Sequence, residues 1–151
     1  MIGAKPRLMD HHPVQPTILI AEDDQDETVL LGSAFRKAGL SSKLQFVLNG
    51  REAQAYLEGH APYNDRETYP MPSLLVLDLK MREVDGYEFL HWLQTQPHLK
   101  GLTVVVHSGS IKQQDMDGTA NLGVKGYYVK SSSREDKIKF FQTLSKRWLG
   151  A

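Results

Sequence analysis

Three runs of apolar residues constrain this chain more than anything else in it: ILIA (18–21), LLVL (74–77) and VVV (104–106). None alternates apolar and polar positions as a strand with one wet face does. Runs this short and continuous are buried on both sides, the habit of parallel strands roofed by helices. Helical stripes lie between them. Asp26 to Ala38 places Leu30, Leu31, Ala34, Phe35 and Ala38 on one stripe and stops at Gly39. KLQFVL (43–48) reads as a strand, and Asn49-Gly50 leads into the short helix REAQAYLEG. A strand over 73–79 precedes a helix from Gly86 to about Thr95 that carries Phe89, Leu90 and Leu93. LTVVVHS (102–108) is the fourth strand, 111–122 a weakly amphipathic helix, and GYYV (126–129) the fifth strand. The last helix, Arg134 to Leu149, shows one apolar face of Ile138, Phe141, Leu144 and Trp148. Strands alternating with helices predict an α/β fold, a doubly wound (βα)5 arrangement around a central five-stranded parallel sheet.

Residues 17–150 of the 151 form one expected domain, large enough to bury a core without metal or disulfide staples. Residues 1–16 hold three prolines and no periodicity, so they read as a flexible arm; its adjacent His11 and His12 read as solvated rather than metal-binding. Residues 59–72 are polar and proline-bearing, a loop of unusual length. Eighteen basic residues balance eighteen acidic ones, which removes any general pull toward nucleic acid or an anionic membrane. The absence of cysteine excludes disulfides, thiolate zinc sites and thiol catalysis. With no apolar run long enough for a signal peptide or a membrane span, a cytoplasmic location is expected.

One residue breaks the pattern. Asp78 sits inside the most hydrophobic stretch, LLVLDL, and burying a lone carboxylate is costly unless something pairs with it. Either Asp78 caps the next helix, or it ends a strand where chemistry needs an acid. In open α/β sheets the functional crevice lies beyond the carboxyl ends of the strands. The polar residues at those ends are Glu22-Asp23-Asp24, Asp78, His107-Ser108 and Lys130. Each alone has an ordinary reading, as a helix-terminal acid, an N-cap or a surface lysine. Together they are the set that phosphoryl transfer to a carboxylate requires. Clustered Glu22, Asp23 and Asp78 repel one another, which a hard divalent cation such as Mg²⁺ or Mn²⁺ relieves. Asp78 is then the nucleophile, Lys130 a fixed positive charge for a phosphoryl oxygen, and Ser108 a hydroxyl donor.

The pieces ILIAEDD (18–24), LLVLDLKMREVDGYEFL (74–90), VVVHSGS (104–110) and GVKGYYVKS (123–131) resemble the receiver, or CheY-like, domain of two-component response regulators. The resemblance spans about 17–149. The intervals from Asp78 to Ser108 and to Lys130, 30 and 52 residues, agree with it. The long 59–72 loop and Lys130-Ser131 resemble the single-domain regulators that serve bacterial phytochromes. The resemblance implies a flavodoxin-like sheet and a phosphoacceptor at Asp78. It further implies Asp23 as direct metal ligand, Glu22 acting through water, and Lys80 giving its backbone carbonyl. Tyr127 matches the aromatic whose rotamer follows the hydroxyl of Ser108, although ordinary packing beside Tyr128 explains it equally well.

The implied function is a phosphorylation-dependent switch. A histidine kinase or phosphotransfer protein, with a bacteriophytochrome suggested by the subfamily, would supply the phosphoryl group. Output would be a protein contact, further phosphotransfer or a homodimer, because too few residues follow the last helix for a DNA-binding domain. The chain would not be an enzyme beyond its own phosphorylation and dephosphorylation. A haloacid-dehalogenase-like phosphatase would carry an acid where Lys80 stands. A pseudo-receiver binding module is the alternative, and the intact acidic, hydroxyl and lysine set weighs against it. Three residues depart from the receiver pattern: Arg82 and Ser131 stand where proline is usual, and His107 ends a strand where an apolar residue is usual. His107 reads as a satisfied buried histidine rather than a catalytic one.

Overall fold

The computed structural model describes residues 15–150. Most of the expected arm, with His11 and His12, lies outside the described residues. In chain order the elements are β1 (Thr17–Ala21), α1 (Gln25–Ala38), β2 (Lys43–Val47), α2 (Gly50–Glu58), β3 (Leu74–Leu77), α3 (Gly86–Gln94), a 3₁₀ turn (Pro97–Leu99), β4 (Thr103–Ser108), α4 (Gln113–Asn121), β5 (Gly126–Val129) and α5 (Arg134–Trp148). The strands pair in parallel in the order β2-β1-β3-β4-β5.

Successive strand residues point to opposite faces of a sheet, and the continuous apolar runs therefore feed two cores at once. Ile18, Ile20, Leu74, Val76 and Val105 join Leu31 and Ala34 of α1 and Phe141 and Leu144 of α5. Leu19, Ala21, Leu75, Leu77 and Val104 join residues of α2 and α3 on the other face. The expected stripe on α1 is narrower in the structure. Leu31 and Ala34 are buried, but Leu30 is half exposed. The third strand is also shorter than expected, since Ser73, Asp78 and Leu79 flank it without strand geometry.

Caps explain where the helices begin. Asp24 accepts from the Asp26 and Glu27 N–H groups at the start of α1, and Asn49 does the same for α2 through Glu52. Asp85, with Glu88, forms a reciprocal capping box on α3. Asp78 therefore caps nothing. Of the two readings left open for it, the strand-end position is the one realised.

The 59–72 loop is packed rather than loose. Arg66 donates to the Tyr56, Leu57 and Tyr69 carbonyls at 2.8–3.1 Å, satisfying the C-terminal end of α2. Tyr56, Tyr63 and Tyr69 form a ring cluster with centroids 5.1–5.9 Å apart. The Thr68 carbonyl accepts from Lys43 and Gln45 at 2.9 Å, which lays the loop over the edge strand β2.

Candidate functional site

All five strands run in one direction, so the residues just past their carboxyl ends share one rim of the sheet. Glu22 follows β1, Asp78 follows β3, Ser108 ends β4 and Lys130 follows β5. β1 and β3 are neighbours, and the Asp78 N–H continues their ladder by donating to the Ala21 carbonyl at 3.1 Å. Carboxylate oxygens of Glu22, Asp23 and Asp78 all lie within 4.8 Å of one another. Lys130 reaches in from β5, with Nζ 2.6 Å from Glu22 Oε1 and 3.0 Å from Asp78 Oδ2.

Burial sets the electrostatics. Glu22 is 1% exposed, and its burial pushes its pKa up to about 7 against the pull of Lys130. Burial alone would lower the Lys130 ammonium, but its hydrogen bond to Glu22 and the charge of Asp78 outweigh that and raise it. One ammonium thus bridges Glu22 and Asp78, with Asp23 beside them. The donor set is all oxygen, partly buried and in excess negative charge, which fits a hard divalent cation. Glu22, Asp23 and Asp78 are the side chains that could hold it.

Two further groups frame the cleft. Ser108 is 1% exposed, and its Oγ accepts from the Ser110 N–H at 3.2 Å. Lys80 is exposed on the opposite lip, and its N–H lies 3.4 Å from Asp78 Oδ1. Between them opens a cleft of about 450 Å³ that also exposes Gly109 and Ile111. Tyr127 lies on β5, two strand positions before Val129, and its hydroxyl donates to the Ser110 carbonyl at 2.9 Å. Gly86 has a packing role here, because a Cβ on it would stand 2.6 Å from the Asp78 carbonyl oxygen. The first turn of α3 and the acid at the end of β3 are therefore in backbone contact.

His107 is buried and stacked on Phe140, with centroids 4.3 Å apart and planes 19° from parallel. Burial first, then the charges of Lys130 and Lys137, hold its pKa down to about 3.

Some polar contacts around the site and in the core beneath it escaped the sequence reading. Asp115 of α4 accepts from the Tyr87 hydroxyl at 2.5 Å and from Ser110 Oγ at 2.6 Å, tying the segment after Ser108 to α3. Nothing in the spacing of Tyr87 and Asp115 signals that contact. Lys137 is 4% exposed, donates to the Ser131 carbonyl and lies 3.6 Å from Glu27 of α1. Here a signal existed, since Lys137 stands four and seven residues before Phe141 and Leu144, in register with the apolar face.

Acids, a hydroxyl and a lysine thus meet on one rim of a β2-β1-β3-β4-β5 parallel sheet, the layout of a signalling domain. The family model for the response regulator receiver domain matches residues 18–142, and the chain belongs to that family. Among curated relatives, the response regulator Rcp1 of Synechocystis is 30% identical over 132 residues, covering 87% of this chain and 88% of the relative. The phosphorylated cyanobacterial phytochrome response regulator RcpA superposes with a TM-score of 0.79 at 29% identity, covering 90% of this chain and 95% of that one. The Mn²⁺-bound form of Rcp1 superposes with a TM-score of 0.76 at 30% identity, covering 89% and 94%. The chain is therefore a response-regulator receiver domain close to the phytochrome response regulators. Among the described residues no helix is long and apolar enough to cross a membrane.

Proposed function

We propose that this chain is a phosphorylation-controlled receiver in which Asp78 accepts a phosphoryl group from the phosphohistidine of a partner kinase or phosphotransfer protein. The observation that carries the proposal is the position of Lys130, bonded at once to Glu22 and Asp78 while Asp23 completes the acidic group. Glu22, Asp23, Asp78 and the Lys80 carbonyl would hold Mg²⁺ or Mn²⁺, the metal bound in one of the similar structures. When bound, such an ion supplies charge neutralisation to the phosphoryl oxygens.

The chain's own residues do the rest. An Asp78 oxygen forms the new P–O bond as the P–N bond of phosphohistidine breaks, and the imidazole leaves with the electron pair. Lys130 is already 3.0 Å from Asp78 Oδ2 and turns to the incoming phosphoryl oxygen. The Ser108 hydroxyl donates to a second oxygen. Moving Ser108 disturbs the Ser110 N–H that it now accepts from, and with it the Ser110 carbonyl that anchors Tyr127. Tyr127 is thereby the residue that carries the change to the β5 surface, where a target protein reads it. Similarity to phytochrome response regulators supports a phytochrome-type kinase as the donor.

Incubation with Mg²⁺ and acetyl phosphate or phosphoramidate, followed by intact-mass measurement, tests the reading. The expected result is a gain of one phosphoryl group that Asp78→Asn abolishes. An unchanged wild-type mass would leave a binding module that keeps the fold without the switch. Phosphotransfer from a phytochrome kinase in red and far-red light tests the donor.

A further inference from the structure

Arg82 is a further cation at the acidic rim, paired with Asp23, and nothing in the phosphoryl-transfer reading uses it. Its backbone N–H donates to Asp23 Oδ2 at 3.2 Å, and its side-chain Nε lies 3.6 Å from the same oxygen. A proline here would have no N–H to give. The loop is built to hold that position. Glu83, the next residue, adopts a left-handed φ of 66° and pairs with Arg51 Nε of α2 at 3.3 Å. The capping box of Asp85 and Glu88 then fixes the start of α3. Lys130 thus neutralises the acids from inside the site, while Arg82 does so from the solvent side.

We propose that Arg82 is an affinity-setting residue for the divalent cation, competing with it for Asp23. This rests on the reading of Glu22, Asp23 and Asp78 as the cation site. A cation coordinated by Asp23 and a guanidinium 3.6 Å from that carboxylate repel each other. The Arg82 side chain is 83% exposed and Asp23 22%, so the guanidinium is free to swing into water when the ion arrives. Its backbone N–H stays, orienting the Asp23 carboxylate in both states. Arg82 therefore lowers the resting affinity without blocking the site, and the effect is ionic-strength dependent because the guanidinium is at the surface.

The test is calorimetric titration of the whole chain with Mg²⁺, and with Mn²⁺ as a second probe, at low and high ionic strength. Arg82→Ala is expected to bind either ion about two- to fivefold more tightly at low ionic strength, with the gap shrinking as salt is added. Arg82→Lys keeps the charge and stays near wild type. An Arg82→Ala affinity equal to or weaker than wild type, with Asp23→Asn still weakening binding, overturns this proposal alone. If wild type and Asp23→Asn bind the ions equally, or neither binds, the cation-site reading falls and takes the proposal with it. Arg82 makes no buried contact, so the variants test affinity rather than folding.

Discussion

At the scale of single residues, His107 shows how a titratable side chain is absorbed into a core. It is flanked by the cations Lys130 and Lys137 and covered by Phe140, so the folded protein refuses a proton until about pH 3. The unfolded chain takes one up near its ordinary value of 6.5. Between those values the unfolded state binds more protons, so stability falls as pH falls, by up to about 1.4 kcal/mol per pH unit. Urea midpoints measured from neutral pH downward should show this acid-side loss in wild type and a flatter profile in His107→Gln, whatever that variant does at pH 7. Equal slopes would mean the histidine is not held neutral. Asp78, Glu22, Asp23, Ser108 and Lys130 were all readable from sequence because each terminates a recognisable strand. Arg82 was readable only as a departure. Its bond to Asp23 joins residues 59 positions apart, and no local pattern encodes that.

At the scale of elements, α5 carries a charge into the core and compensates it with α1. Lys137 is buried, anchored by Glu27 and the Ser131 carbonyl. Glu27 Oε2 is buried and has no hydrogen-bond partner among the described residues, so the ion pair is its compensation. Replacing Lys137 by Met leaves a buried carboxylate unpaired, and a loss of about 3–5 kcal/mol is expected in chemical denaturation. The double variant Glu27→Leu/Lys137→Met should recover most of that loss; no recovery would assign the cost to the Ser131 carbonyl instead. The Ser131 turn is held from two sides. Its Oγ donates to Asp136 at 2.8 Å and accepts from the Ser133 N–H at 3.0 Å, so side-chain bonds hold the backbone after Lys130 where a proline ring is absent. The 59–72 segment makes the same point for a loop. Its composition gave no hint that Arg66 would clamp α2, because a C-terminal clamp depends on where the loop returns.

At the scale of the whole molecule, the sheet is one layer serving two cores. Phe141 is fully buried and meets Phe35 edge-on at 5.3 Å, locking α5 to α1 over one face. Phe141→Ala should cost about 3–5 kcal/mol in unfolding free energy. Mg²⁺ affinity should stay near wild type under conditions where the variant is folded, since the acids directly follow β1 and β3. A coupled loss of affinity in the folded variant would show that the α1–α5 layer also shapes the site.

The sequence by itself determined the elements, their order and the polar residues gathered near the strand ends, because hydrophobic period and cap chemistry are local properties that each segment carries alone. It also named the acids, the hydroxyl and the lysine that the parallel arrangement gathers on one edge. Tertiary structure alone decided which charges meet: Lys130 bridging Glu22 and Asp78, Arg82 turned onto Asp23, Lys137 sunk beside Glu27, and Asp85 rather than Asp78 capping α3. The physical reason is distance along the chain. A contact between remote residues depends on how whole helices seat against the sheet, and that geometry is the sum of packing over both cores rather than a property of any one segment.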